Sequence, residues 1–377
     1  MSSSSSKEPA YVPILKWKRG EQMALRDLPR SARRKIFPLI EVQDRPFDWD
    51  RGDVGAYTIS WPDHLKKVVD AAVKYWGGDE EIAVDQPIED GDDMAGESAW
   101  RYLFESLWQA GVAAVPVVSS LASELEVDTL RKLKAPARVN GRFVLRFQGS
   151  RDDDDILLDS ISSWFRAMLR RLRVDHESID AILDLGYLSD EGANLLGPMS
   201  NMELVERCAE IITSIGLQGP WRSLTLAAGS FPENLAGLPV GLHRLARRDW
   251  QLYRLVNQEV SRRHRLGYGD YGVNYTDVLD IDPRLVRMSA SLRYTHTKDW
   301  IVYKARSVRS HGFEQYRDLC RLLVNSEDQY MGDSFSKGDA NYAAVASGEV
   351  GPGNATIWRR DATNHHVHMV ISQLHNS

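Results

Sequence analysis

Residues 142–186 read RFVLRFQ (142–148), then LDSISSWFRAMLRRLRV (158–174), then AILDLG (181–186). The outer two pieces are short and apolar, as strands buried on both faces should be. The middle piece is amphipathic and helical. Strand, helix, strand in this order is a βαβ unit, and it implies parallel strands. The same alternation extends in both directions. Towards the N-terminus lie YVPILKW (11–17), IFPLIEV (36–42), IAVDQ (82–86) and VAAVPVVSS (112–120), separated by helical stretches such as WPDHLKKVVDAAVKYWG (61–77). Towards the C-terminus lie SLTLAAGSF (223–231) and LGYGDYGV (266–273), with NMELVERCAEIITSIG (201–216) and LARRDWQLYRLVNQEV (245–260) before them. Eight such units over roughly 280 residues predict an α/β fold of the (β/α)8 TIM-barrel type. A doubly wound open sheet is the alternative, but no G-x-G-x-x-G follows the first strand.

The last third has a different character. DIDPRLVRMSASLRYTHTKDWIVYKARSV (280–308) reads as a loop and extended segments, and GFEQYRDLCRLLVN (312–325) as the helix that supplies the eighth barrel position. The expected organisation is a flexible polar tail at 1–10, a barrel at 11–283 and a C-terminal elaboration at 284–377 packed on it.

The balance of residues bounds the function. Hydrophobic residues make up 43% and charged residues 27% of 377, enough for a sizeable core. The net charge of −6 gives no global basic field for nucleic acid. Cys208 and Cys320 stand far apart without metal-site spacing, which points to a reducing compartment. No apolar run approaches the roughly 18 residues of a membrane span. MSSSSSKEPA lacks the apolar core of a secretory signal, so the expectation is a cytoplasmic protein with no membrane contact.

Several strands end in a charge: Lys16, Glu41, Asp85, Arg146 and Asp184, with Asp270 near the eighth. In a barrel all carboxyl ends of strands meet at one mouth, so these residues should converge. Glu41, Asp85, Asp184 and Asp270 would suit acid–base work, and Glu41, Asp85 and Asp184 would suit Mg²⁺ or Mn²⁺ better than Zn²⁺. Lys16, Arg146 and Arg359 would suit phosphate. Charges at strand ends also pair with one another or mark where the chain meets water, and that reading stands beside the functional one. Ser230, in GSFP after the seventh strand, lies where this fold often holds phosphate. In ATNHHVHMVISQL the apolar residues Val367, Val370, Ile371 and Leu374 form a helical face. Asn364 is then expected to cap a terminal helix. His365 and His366 would occupy its first turn, facing the mouth beside Arg359, with His366 as an acid–base candidate.

The segments YVPILKWKRGEQMAL, PLIEV, GSFP, RRDWQLY, YGDYGV, LRYTHTKDWIVYKA, DSFSKGDA and WRRDATNHH, in this order, resemble the Beta protein family over about 11–370. The resemblance implies a prophage or genomic-island setting and a part in phage defence or toxin control, with a partner protein encoded by a neighbouring defence gene. It carries no established catalytic residues. The matching positions Lys16, Lys18, Glu21, Glu41, Ser230, Asp270, Tyr271, Arg293, Ser336, Asp339, Trp358, Arg359, Asn364, His365 and His366 are candidates only. Two functions are therefore in view. One is binding of a partner protein or a phosphate-bearing ligand at the mouth. The other is metal-dependent hydrolysis of a nucleotide or nucleic acid.

Overall fold

The computed structural model describes residues 11–50, 57–85, 98–148, 158–277 and 288–376. The 1–10 tail and the expected boundary at 283/284 lie outside the described residues. The chain runs β1 (Tyr11–Leu15), α1 (Arg19–Arg26), α2 (Arg30–Arg33), β2 (Leu39–Glu41), α3 (Trp61–Tyr75), β3 (Ile82–Asp85), α4 (Ala99–Gln109), β4 (Ala114–Ser119), α5 (Glu124–Lys132), β5 (Phe143–Gln148) and α6 (Leu158–Leu172). It continues with β6 (Ile179–Tyr187), β7 (Gly192–Ala193), β8 (Gly197–Pro198), α7 (Asn201–Gly216), β9 (Ser223–Gly229), β10 (Gly241–Ala246), α8 (Arg248–Val260) and β11 (Leu266–Asp270). Last come β12 (Ser289–Thr295), β13 (Asp299–Ser307), α9 (Val308–His311), α10 (Gln315–Val324), α11 (Lys337–Ser347) and α12 (Ala355–His375).

Eight parallel strands close into a barrel in the order β1-β11-β9-β6-β5-β4-β3-β2. All eight strands expected from the sequence are there. Local chemistry punctuates the helices between them. Ser123 with Glu126 and Ser200 with Glu203 form capping boxes at the starts of α5 and α7, and Ser60 caps α3.

Side-chain parity sorts each strand into two faces. Val12 and Ile14 on β1, Leu39 on β2, Ala83 on β3, Val144 on β5 and Ile182 on β6 fill the barrel interior. Their neighbours Leu15, Ile40, Val84, Leu145 and Leu183 face outward against the helices. Two residues further along the inward set come Lys16, Glu41, Asp85, Arg146 and Asp184. The polar residues at the strand ends are therefore the top layer of the barrel interior.

The smaller sheet has the order β10-β13-β12, antiparallel throughout. Its strand β10 comes from the connection after β9, so the second layer draws on residues well before 284. One face of the sheet carries Leu292, Tyr294, Ile301 and Tyr303 and packs with Tyr316 and Leu319 of α10 and Trp358 of α12. The other carries Trp300 and Val302 and packs on Phe231, Leu235 and Val273, which follow the seventh and eighth barrel strands. The sheet thus forms a wall beside the mouth.

Two expectations are corrected. The helix at 312–325, α10, packs on the small sheet and not on the barrel, because its apolar face Tyr316, Leu319, Cys320 and Leu323 meets that sheet. The eighth barrel helix is α12, whose Val367 and Val370 join the core shared with the other barrel helices. The second correction concerns Asn364. The cap of α12 is Asn354, whose side chain accepts from the backbone N–H of Thr356 and Ile357 at 3.0 and 3.2 Å. Asn364, His365 and His366 therefore lie in mid-helix and are buried. Asn364 still caps, but it serves neighbours. Its Oδ1 accepts from Gly338 N at 3.2 Å at the start of α11, and its Nδ2 donates to Ala24 O at 3.1 Å near the end of α1. Gly338 has to be glycine for the same packing, since a Cβ there would strike the Asp361 carbonyl. No helix among the described residues is long and apolar enough to cross a membrane.

Candidate functional site

The mouth holds a polar cluster centred on Arg146. Its Nη1 lies 2.7 Å from Asp85 Oδ2, and its Nη2 lies 2.8 Å from Glu41 Oε1 and 2.6 Å from Asp184 Oδ2. Nε also donates to Asp184 Oδ2 at 2.9 Å. Tyr271 completes the ring: its hydroxyl donates to Asp184 Oδ2 at 2.6 Å and accepts from Arg146 Nη2 at 2.7 Å. Lys16 pairs with Glu41 Oε2 and stands 5.1 Å from the centre of the Tyr271 ring. One guanidinium on β5, with five donors, thus collects residues from β2, β3 and β6 and the residue that follows β11.

The expected Mg²⁺ or Mn²⁺ set of Glu41, Asp85 and Asp184 does converge, but the focus is filled by Arg146. Among the described residues no group of three or more His, Cys, Asp or Glu is placed to hold a metal ion. The residues do not fit a divalent cation, because the protein supplies its own cation there.

Three carboxylates face two cations in this cluster, and the surplus falls on Asp85. Burial pushes its carboxyl up to about 6, against the pull of Arg146 and with a further push from Glu41. Glu41 is buried too, yet Lys16 and Arg146 outweigh that burial and hold it below the usual range. A carboxyl whose folded pKa is raised favours the folded state when protonated. Its contribution is present below the unfolded value near pH 4 and is lost as pH rises through about 6. Asp85→Asn is therefore expected to be at least as stable as the parent at pH 7. The stability difference, variant minus parent, should grow by up to about 3 kcal/mol between pH 4 and 7. Urea titrations across that window check this; a constant difference would contradict it.

Asp270, expected in the same cluster, is not there. It is one residue out of register with the inward set, so its side chain faces outward, and Tyr271 takes the inward place. Asp270 Oδ2 lies 2.8 Å from His366 Nε2, and its Oδ1 accepts from Tyr11 Oη at 2.8 Å. Burial raises the Asp270 carboxyl, but His366, Arg247 and Tyr11 outweigh it and hold the group below the usual carboxylate range. His366 Nδ1 lies 2.9 Å from the Thr295 hydroxyl, and the Thr295 carbonyl lies 2.8 Å from His365 Nε2. His365 Nδ1 in turn lies 2.7 Å from Asp339 Oδ2, whose carboxylate also accepts from Ser336 at 2.5 Å and Tyr294 at 2.8 Å. Thr295, on β12, therefore joins the two histidines, one bound to the barrel and one to α11. Asp270, His365, His366, Asp339 and Thr295 are all buried. These side chains form a polar joint between the two layers, outside the Arg146 cluster. Ser230 is likewise engaged within the fold, donating to buried Asp249. Asp249 also accepts from Tyr268 at 2.6 Å.

A second group of cations stands at the mouth on the side of the seventh and eighth strands. Arg293 Nη1 and Arg359 Nη1 both donate to the Val273 carbonyl, at 2.6 and 2.8 Å. Arg359 also donates to Asn274 Oδ1, and Arg293 lies 4.5 Å over the Phe231 ring. Neither is paired to a carboxylate among the described residues. Burial, and then the neighbouring charge of Arg359, pull the Arg293 pKa well below its ordinary value. Glu21 is the acid whose charge acts on Arg359. It accepts from Asn274 Nδ2 at 2.6 Å and from Lys18 N at 3.0 Å, and burial raises its carboxyl. Lys18 is exposed at the edge of this group.

Sequence reading missed Thr295, Asp249, Asn274 and Tyr11. RRDW and YTHT were visible as segments, but nothing local marks which of their residues will be buried against a helix at the other end of the chain.

The family model described as Beta protein matches residues 11–372. Among solved structures, the chain is similar to a candidate alpha-L-fucosidase of Bacteroides thetaiotaomicron, with 12% identity, 72% of this chain and 88% of that chain covered, and a TM-score of 0.37. It is also similar to the arginine decarboxylase of Paramecium bursaria Chlorella virus, with 10% identity, 78% and 83% covered, and a TM-score of 0.34. The comparison with curated proteins gives no match.

Proposed function

This chain belongs to the Beta protein family, and we propose that it binds a phosphate-bearing ligand at the barrel mouth as its part in a phage-defence or toxin-control module. The observation that carries the reading is the arginine pair. Two guanidiniums converge on one carbonyl, at 2.6 and 2.8 Å, and share no carboxylate among the described residues. Like charges held this close repel unless an anion sits between them, and most of their donors are left over for one. They stand beside residues that follow the seventh and eighth strands, where this fold often holds phosphate. Lys18 adds a third cation. Arg146 argues against the metal-dependent alternative, since its guanidinium stands at the focus of the carboxylates.

Calorimetric titration with inorganic phosphate, pyrophosphate and a nucleoside triphosphate tests the binding. Arg293→Met should weaken it by roughly 10- to 100-fold, as expected for one charge-assisted contact of about 1.5–3 kcal/mol. Its melting temperature should stay the same or rise, because a repulsive neighbour of Arg359 is gone. Absence of measurable heat with all three anions in the parent protein would defeat the reading. The module role has its own test. Deleting this gene alone, with its neighbour intact, should be toxic, and the Arg293→Met protein should fail to relieve that toxicity. A harmless deletion with the neighbour still expressed would count against the role.

A further inference from the structure

The opposite end of the barrel has its own charge pattern. The segments that lead into six of the eight strands there, β2, β3, β5, β6, β9 and β11, are 33–35, 76–81, 132–142, 170–180, 217–222 and 261–265. Together they carry fourteen Lys and Arg against six Asp and Glu, a net of +8 on a chain of net −6; among the fourteen, Arg171 is paired to Glu124 and Asp128 of α5 at 3.2 and 3.4 Å. Half of those acids are already engaged within the fold. Glu80 pairs with Arg34 at 3.4 Å, Asp180 with Arg142 at 3.0 Å and Arg222 at 2.9 Å, and Glu81 with both of these arginines. By contrast Lys35, Lys134, Arg173, Arg262, Arg263 and Arg265 are exposed and have no ion pair or side-chain hydrogen bond among the described residues. The field at this end is therefore strongly positive although the whole chain is acidic.

A cleft of about 420 Å³ opens within this face, lined by Phe37, Trp221 and His264, with Arg263 and Arg265 beside them. Trp221 is half-buried and fixed: its indole N–H donates to Ile215 O at 2.7 Å, and its ring meets His176 edge-on at 4.7 Å. His264 stands directly over Gly216, where a Cβ would collide with its ring. His264 Nε2 is buried without a hydrogen-bond partner. The cleft thus offers aromatic surfaces and one unused ring nitrogen, with a guanidinium rim.

We propose that this end of the barrel binds single-stranded nucleic acid, with phosphates on the exposed arginines of 261–265 and one base in the cleft against Trp221 and His264. A splayed base can enter and stack there, whereas a duplex keeps its bases in the helix. A lipid surface is the poorer match, because Leu217 is the one large exposed hydrophobic residue among these segments.

Fluorescence anisotropy with labelled oligothymidine and oligouridine of about 20 nucleotides tests this, at about 50 and 200 mM salt. The parent protein should bind the single strands saturably and more tightly than a duplex of equal length. The Arg262→Gln/Arg263→Gln/Arg265→Gln variant, altered only at exposed positions, should keep its melting temperature and bind at least tenfold more weakly. Its log–log salt slope should be shallower by about 0.7 for each phosphate the variant no longer neutralises. Arg293→Met, at the other end, should leave this binding unchanged. The proposal is overturned if the parent shows no saturable binding at the lower salt, or if the triple variant binds as well as the parent. It is also overturned if duplex or anionic vesicles bind as tightly as the single strands, which would indicate an unselective polyanion surface.

Discussion

Arg146→Met is expected to destabilise the protein by about 3–5 kcal/mol, enough to take much of the stability of an ordinary domain. The guanidinium is 1% exposed, and it is the shared partner of Glu41, Asp85, Asp184 and the Tyr271 hydroxyl. Methionine replaces its bulk but not its donors. Three buried carboxylates would then face Lys16 as their one remaining cation, and the cost of leaving buried charge uncompensated exceeds the worth of any one ion pair. The loss should depend on pH with a definite sign. Without Arg146 the folded-state pKa values of these carboxyls rise, so stability declines as pH rises through them. The variant should therefore recover part of its loss between pH 7 and pH 5. Urea titrations at both values test this. A variant within 1 kcal/mol of the parent at pH 7 would show that the cluster contributes little.

Ending the chain at Gly353, just before α12, is expected to abolish cooperative folding even though all eight barrel strands remain. Val367 and Val370 are buried in the barrel core, and Ile371 and Leu374 pack against it. Each such side chain contributes roughly 1.5–3 kcal/mol on burial. The truncation also strips His366 from Asp270 and His365 from Asp339, and it removes Asn364 from Ala24 and Gly338. The summed loss is comparable to the whole stability of a domain, about 5–15 kcal/mol. Near-ultraviolet circular dichroism and a thermal melt read the outcome. A soluble fragment with native-like aromatic signals and a single sharp melt would contradict the role of α12 as the eighth barrel helix.

These two cases mark how far the sequence could be read. Short apolar runs with helices between them were enough for the barrel, because strands buried on both faces have a distinctive composition. The convergence of Lys16, Glu41, Asp85, Arg146 and Asp184 followed from the fold, since every strand ends at the same mouth. Asp270 went astray for a reason also present in the sequence. It is the last residue of β11, but it is one residue out of register with the inward set, and parity assigns that place to Tyr271. The start of α12 was harder to see. Trp358 packs in the small-sheet core, Ala362 beneath that sheet and Val367 in the barrel core, so buried residues occur on several sides of the helix. Only the last ten or so residues show a simple stripe, and that stripe suggested a helix beginning at Asn364. The arginine pair was the least legible feature. Arg293 and Arg359 are 66 positions apart in sequence and meet only because both reach the carbonyl of Val273.

An anion held at Arg293 and Arg359 would occupy the mouth beside an Arg146 that already satisfies the carboxylates. Anomalous diffraction from a crystal soaked in tungstate, a heavy analogue of phosphate, would locate such an anion. A tungsten peak is expected within hydrogen-bonding distance of both guanidiniums, with Arg146 still bound to Glu41, Asp85 and Asp184. A crystal that takes up tungstate at other sites and leaves the space between Arg293 and Arg359 without a peak would contradict anion binding there.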